Sequence, residues 1–264
     1  MAQLRDFRDS VAVLVSSCDA FFDCWRPFAF FFRKYWPDCP FQVFLLVNEL
    51  KVQSQILRSL PVGTDRGWAS NLIVALRQIQ TPRLLYFQDD YFLDGPVQHD
   101  QLAADFAYAF EHDADSLCFR ARSDLEPAFQ PINDRFGIVP PGSDGRTRCQ
   151  LTLWKREALL AALRDGETAW EMEAGGSART RDMRVFSYSK RDDAPVPYLM
   201  SAVVRGLWTR EAIAMCAREN FEIAPRFREI YSPNPLVQRW RRARTRSRLS
   251  RELAKRRTQA IDLP

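Results

Sequence analysis

Thr81-Pro82-Arg83-Leu84-Leu85-Tyr86-Phe87-Gln88-Asp89-Asp90-Tyr91-Phe92-Leu93 is the stretch that decides the fold. Pro82 closes the helical pattern before it, having no amide hydrogen to extend a helix. Leu84 to Phe87 then run apolar without a break. So short a run, apolar on both faces, predicts a strand buried between two helical layers. It ends in Asp89-Asp90, two adjacent carboxylates at the carboxyl end of a core strand, where open α/β sheets place their ligands. Two carboxylates there repel unless a cation joins them, and hard oxygen ligands suit Mg²⁺ or Mn²⁺. An ion held on one side by protein can hold a diphosphate on the other. The same pair also suits the start of a turn or a helix cap.

Outward from that strand the chain alternates. Val11 to Ser16 predicts the first strand, followed by a loop at Ser17, Cys18 and Asp19. Asp23 to Tyr35 predicts a helix with aromatic residues on its inner face, ended by Pro37 and Pro40. Phe41 to Val47 predicts the second strand, Thr64 to Gly67 a turn, and Trp68 to Gln80 an amphipathic helix. Strands alternating with helices imply a parallel, right-handed, doubly wound sheet, with Ser16 to Asp19 facing the same crevice as Asp89. Further on, helices are expected at Gln101 to His112, Lys155 to Leu163 and Glu211 to Glu219. Ser116 to Arg120 and Cys149 to Trp154 read as strands, Pro127 to Gly145 as an ordered loop or hairpin, and Tyr198 to Trp208 as an edge strand. Pro225, Pro233 and Pro235 mark a linker.

Composition sets the bounds. The 264 residues, 46% hydrophobic and 12% aromatic, supply ample core for one large α/β domain. Met1 to Arg8 lacks an apolar signal core, and no stretch reaches the roughly 18 apolar residues of a spanning helix. Six scattered cysteines without a C-x-x-C pair argue against zinc or a disulfide scaffold and for a reducing cytoplasm. No glycine-rich dinucleotide fingerprint or P-loop occurs. The net charge of +5 is uneven: Arg239 to Arg257 holds ten Lys or Arg against one Glu, which leaves the rest at −4. Such a tail suits an anionic membrane surface, nucleic acid, or solvated disorder. The body carries no nucleic-acid motif, so the membrane stands ahead of nucleic acid as a partner.

Ser-Ser-Cys-Asp after the first strand, Gly-Trp-Ala-Ser-Asn-Leu opening a helix, and Tyr-Phe-Gln-Asp-Asp-Tyr-Phe-Leu together resemble a bacterial, family-2-like glycosyltransferase of the GT-A fold. The resemblance spans roughly residues 10–215. It implies a Rossmann-like, mostly parallel α/β sheet flanked by helices. Residues 1–232 would form the domain, with a nucleotide-sugar half at about 10–95 and an acceptor half at about 96–220, and 233–264 a basic helical tail. It implies Mn²⁺ or Mg²⁺ on an Asp-x-Asp-like motif at Asp89 and Asp90, with Asp90 the direct ligand. Ser17 and Asp19 match the loop that contacts base and ribose, and Trp68 and Asn71 lie where such enzymes approach the nucleotide. A further metal ligand from a late histidine is missing, since the only histidines are His99 and His112.

A transferase of this kind leaves a diphosphate bearing extra negative charge, which a divalent ion stabilises. Inversion also needs a carboxylate to take the acceptor's proton. Ala169 to Ser177 (AWEMEAGGS) offers Glu173, and next Glu171, as that base. Trp170 is placed to stack on a sugar, and Gly175-Gly176 permits close backbone approach; the segment also reads as a helix start with surface glutamates. By the same resemblance Gln150 and Trp154 support the acceptor site, with packing the simpler role for Trp154. Arg205-Gly206 is a candidate diphosphate contact, and Arg179, Arg181 and Arg184 are either phosphate contacts or surface charge. The expected function is transfer of a sugar from a UDP-, GDP- or dTDP-linked donor to a glycan or lipid-linked acceptor in cell-surface polysaccharide assembly. The expected place is cytoplasmic, at the inner membrane face. The alternative is a non-catalytic nucleotide-sugar or glycan-binding protein whose tail binds nucleic acid or a partner. A nucleotidyltransferase would show a glycine-rich phosphate loop, which this chain lacks.

Overall fold

The computed structural model describes residues 2–120, 130–190, 194–223 and 227–264. In chain order its strands and helices are β1 (Val11–Ser16), α1 (Phe22–Tyr35), β2 (Val43–Val47), β3 (Val52–Gln53), β4 (Leu57–Pro61), α2 (Trp68–Gln78) and β5 (Arg83–Gln88). Then come α3 (His99–Glu111), β6 (Ser116–Cys118), β7 (Gln130–Pro131), β8 (Phe136–Ile138), β9 (Thr152–Lys155), α4 (Arg156–Ala162), α5 (Ala169–Arg179) and β10 (Val185–Tyr188). The chain ends with β11 (Val203–Val204), β12 (Leu207–Trp208), α6 (Arg210–Arg218), α7 (Pro235–Arg256) and β13 (Ile261–Asp262).

The main sheet runs β4-β2-β1-β5-β9-β6-β10-β8-β7. Seven of its nine strands point the same way; β9 and β8 run against their neighbours. The fold is therefore α/β with a mostly parallel sheet flanked by helices. Alternate residues of β1 explain its unbroken apolar run. Val11, Val13 and Val15 face the layer containing Trp25, Phe28, Phe31 and Phe106, from α1 and α3. Ala12 and Leu14 face Leu72, Leu76 and Leu159, from α2 and α4. A strand covered on both sides has no polar face to show.

Three expectations change. The stretch between β2 and α2 holds β4, which pairs parallel with β2 as the sheet's outer strand. Tyr198 to Trp208 is not an edge strand: β11 and β12 form a separate hairpin, turning at Arg205 and Gly206. The basic segment is helical, as expected, but is not a free tail. It is the 22-residue helix α7, docked on the body through buried Gln238, Thr245 and Leu249, after which β13 pairs with β3. Pro127 and Pro225 lie outside the described residues; from Gln130 onward the expected hairpin is β7-β8. Among the described residues no helix is long and apolar enough to cross a membrane.

Candidate functional site

β1 and β5 pair in register from Val11↔Arg83 to Ser16↔Gln88, so their carboxyl ends finish side by side. A crevice of about 390 Å³ opens there. Its walls are the loop after β1 (Ser17, Cys18, Phe21), the start of α2 (Gly67, Trp68, Asn71), the end of β5 (Asp89, Asp90), Trp170 and the β11-β12 turn (Arg205, Gly206). Ser17, Trp68, Asn71, Asp89, Asp90, Trp170 and Arg205 thus meet at one place. Asp19, Gln150, Glu171 and Glu173 do not line it.

The two carboxylates form the buried floor, 6% and 7% exposed. Asp89 accepts from the Ser17 hydroxyl, which itself accepts from Trp25 Nε1 at 2.6 Å. Asp90 Oδ2 accepts from the Val203 amide at 3.3 Å, while Oδ1 is buried with no partner. Burial raises both carboxyls. Asp89 rises well above the ordinary carboxylate range, with the Asp90 charge as the second cause. Asp90 is pushed up to about 7, opposed by the Val203 amide and by Arg228. Two desolvated carboxylates and an orphaned oxygen form a site that a cation would neutralise. Among the described residues no three His, Cys, Asp or Glu side chains converge to hold a metal alone. The pair fits Mg²⁺ or Mn²⁺ bound by one or two carboxylates, with substrate phosphate and water completing the shell.

The surrounding groups shape the walls above this floor. Asp19 accepts from the amides of Asn48, Glu49 and Leu50 at 2.8–2.9 Å, tying the loop after β1 to the end of β2. Asn71 donates to Asp65 at 2.7 Å and accepts from the Arg66 amide, shaping the turn before α2. Arg205 and Gly206 have φ of +52° and +78°, the paired left-handed conformation of a two-residue hairpin turn. Arg205 Nη1 donates to Gln238 Oε1 at 3.2 Å, linking the turn to α7.

Sequence reasoning missed Arg228 and Asp65. Arg228, 2% exposed, forms a two-pronged bond to Asp23 at 2.8 and 3.0 Å and donates to the Gly206 carbonyl. It is the buried positive charge that moderates both aspartates, and its partner lies 205 residues away, so no local pattern announces it. Asp65 stands in the turn before α2, where an Asp two residues before Gly reads as turn chemistry.

The segment expected on the acceptor side is a helix, so Gly175 and Gly176 lie inside α5 and not in a flexible loop. A Cβ on Gly176 would meet Thr147 Oγ1 at 2.3 Å, so glycine is there for close packing. Thr168 and Glu171 form a reciprocal cap at its start, and those bonds hold the exposed Glu171 carboxyl below its ordinary value. Glu173 is half-buried, and its Oε1 accepts from the Cys149 amide at 2.7 Å. The Cys149 carbonyl in turn accepts from Gln88 and Tyr91, so Glu173 sits one backbone unit from the end of β5. Trp170 is 81% exposed, a free indole face at the crevice. Gln150 accepts from Tyr198 at 3.2 Å, and Tyr198 lines a separate cavity with Asp94 and Arg120. Trp154 is packed core. Arg179 pairs with Glu167 and Arg184 with Asp113, away from the crevice.

A scan against protein-family models finds no match, and neither does a search of curated proteins. Among solved structures, S. aureus TarS 1-349 is 15% identical over 73% of this chain and 60% of its own, with a TM-score of 0.45. The same fragment in complex with UDP is 14% identical over 74% and 61%, TM-score 0.45. Its complex with UDP-GlcNAc is 13% identical over 72% and 57%, TM-score 0.41. The chain thus spans about three fifths of the length of these neighbours, a similarity too distant to assign a function.

Proposed function

We propose that the protein is a glycosyltransferase that moves a sugar from a nucleotide-sugar donor to a glycan or lipid-linked acceptor in cell-surface polysaccharide assembly. The observation that carries the reading is the buried Asp89-Asp90 pair, with its orphaned Asp90 oxygen, at the carboxyl end of a central parallel strand. Asp90, with Asp89, would hold Mn²⁺ or Mg²⁺, which when bound neutralises charge building on the leaving diphosphate. Ser17 fixes the Asp89 carboxylate and the Val203 amide aims that of Asp90. Trp68 and the turn shaped by Asn71 border the nucleotide, with Arg205 at the diphosphate. Trp170 offers its face to a sugar ring. Glu173 takes the acceptor hydroxyl's proton in an inverting transfer; Glu171 is the alternative base. Docking is peripheral, at the anionic inner membrane face, through the solvent side of α7, where Leu236 and Trp240 are 79% and 55% exposed.

The test is release of nucleoside diphosphate from UDP-, GDP- and dTDP-sugars with Mn²⁺. Asp90→Ala is expected to abolish release while the protein stays folded, a loss of several kcal/mol of charge stabilisation. Near wild-type rates in both Asp89→Ala and Asp90→Ala at saturating donor would remove the metal-site reading. One observation favours a second reading, a non-catalytic nucleotide-sugar or glycan-binding protein: Glu173 has one oxygen engaged and does not line the crevice. Donor-induced thermal stabilisation without release at any donor would select it.

A further inference from the structure

α7 divides its arginines between two flanks. On one, Arg244 and Arg248 pair with Glu229, and Arg241 donates to the Ile230 carbonyl. On the other, Arg239, Arg242 and Arg246 stand at i, i+3 and i+7, one stripe of the helix about 10 Å long. Among the described residues none of these three has a carboxylate in ion-pair range. Like charges at that spacing repel, so the stripe costs stability until an anion arrives.

The stripe also leads to the crevice. Arg239, Arg242 and Arg246 border a groove along α7. Arg242 and Arg246 also border a second cleft of about 220 Å³, shared with Phe21, Arg205 and Gly206. Those last three residues also wall the Asp89-Asp90 crevice. A ligand laid along α7 therefore ends against the Phe21, Arg205 and Gly206 wall of the Asp89-Asp90 crevice. Guanidinium forks match phosphate oxygens two at a time, and three of them in a 10 Å row exceed the reach of one phosphate.

We propose that Arg239, Arg242 and Arg246 bind the phosphate groups of a phosphate-bearing acceptor and lead its hydroxyl to the Asp89-Asp90 crevice, an inference that rests on the sugar-transfer reading of that crevice. The row of unneutralised arginines supplies the charge and the chain of clefts the direction.

The probe is inorganic tripolyphosphate, titrated into the full chain by calorimetry at fixed ionic strength with EDTA, so that no divalent ion recruits it to the aspartates. The triple variant Arg239→Ala, Arg242→Ala, Arg246→Ala is expected to bind at least tenfold more weakly. The double variant Arg251→Ala, Lys255→Ala, two charges removed elsewhere on α7, is expected to stay within twofold. Removing mutually repelling charges leaves the helix intact, which far-UV circular dichroism checks. A loss short of tenfold, an equal loss in the double variant, or displacement of the probe by UDP overturns the proposal. Vesicles of phosphatidylcholine with one third phosphatidylglycerol form the second arm. Both variants are expected to lose some vesicle binding with the general charge of α7; a tenfold loss confined to the triple variant assigns the stripe to a lipid surface, and the acceptor role falls. Nucleoside diphosphate release enters neither arm, so failure here is distinct from failure of the sugar-transfer reading.

Discussion

Asp90 is where burial, charge and a missing partner coincide. Its carboxyl, raised by burial to about 7, holds a proton that the unfolded chain releases near 3.8. Between those values the native state binds more protons than the unfolded state, so its stability falls as pH rises through that window. Asp89, raised for the same reason and by Asp90's charge, adds to the slope, and Arg228, held by Asp23, subtracts from it. A divalent ion should cancel the effect by taking the proton's place. Thermal unfolding without metal should therefore show a melting temperature that drops from pH 5 to pH 8, with Mg²⁺ restoring more at pH 8 than at pH 5. Asp90→Asn keeps the shape without the charge, so it should flatten part of the slope and blunt the Mg²⁺ response. An unchanged slope in Asp90→Asn would show that the cost of burying charge lies elsewhere.

The helix α5 assigns different work to its two glutamates. Glu171 closes a capping box with Thr168, a role glutamine also fills, so Glu171→Gln should leave turnover within twofold. Glu173→Gln should lower turnover by about 10²–10⁴-fold with donor affinity unchanged, because the amide cannot accept a proton. Steady-state kinetics on the two variants decides; if neither slows transfer tenfold, the base is not on α5. The sequence offers this segment both as a flexible glycine pair and as a helix start, and the helix is what forms. Gly175-Gly176 looks like a breaker, and only Thr147, brought against Gly176 by the fold, explains a glycine inside a helix. β4 was hidden for a related reason: Leu57-Arg58-Ser59-Leu60-Pro61 has two buried leucines and an otherwise mixed surface, as an outer strand can. β1, β2 and β5 were legible because both faces are covered and every residue but the last of β5 is buried. Asp89-Asp90 was legible as adjacent carboxylates ending such a strand. The pairing of Asp23 with Arg228 joins distant segments and leaves no local signature.

At the scale of the molecule, the C-terminal segment is a strap laid across the body. Thr245 and Leu249 of α7 are buried, and the Thr245 hydroxyl accepts from the Glu229 amide. Arg256 lies over the rings of Phe22 and Phe227, at 4.9 and 5.7 Å. Arg257 reaches Glu49, and β13 pairs with β3, burying Ile261 and Leu263. A free basic tail could be cut away without consequence; this strap cannot. Burying a large aliphatic side chain contributes about 1.5–3 kcal/mol, so Leu249, Ile261 and Leu263 together give on the order of 5 kcal/mol. That is a large share of the roughly 5–15 kcal/mol by which a domain is stable. Ending the chain after Gln238 should therefore lower the melting temperature by more than about 10 °C or leave the protein insoluble. Ending it after Arg257 removes only β13 and its two buried side chains, and should give a smaller loss. Vesicle binding by the shorter fragment would then report unfolding as much as lost charge, which is why point substitutions on α7 are the sounder probe of its partners. A fragment ending at Gln238 that melts with the full chain would show that the strap is an appendage after all.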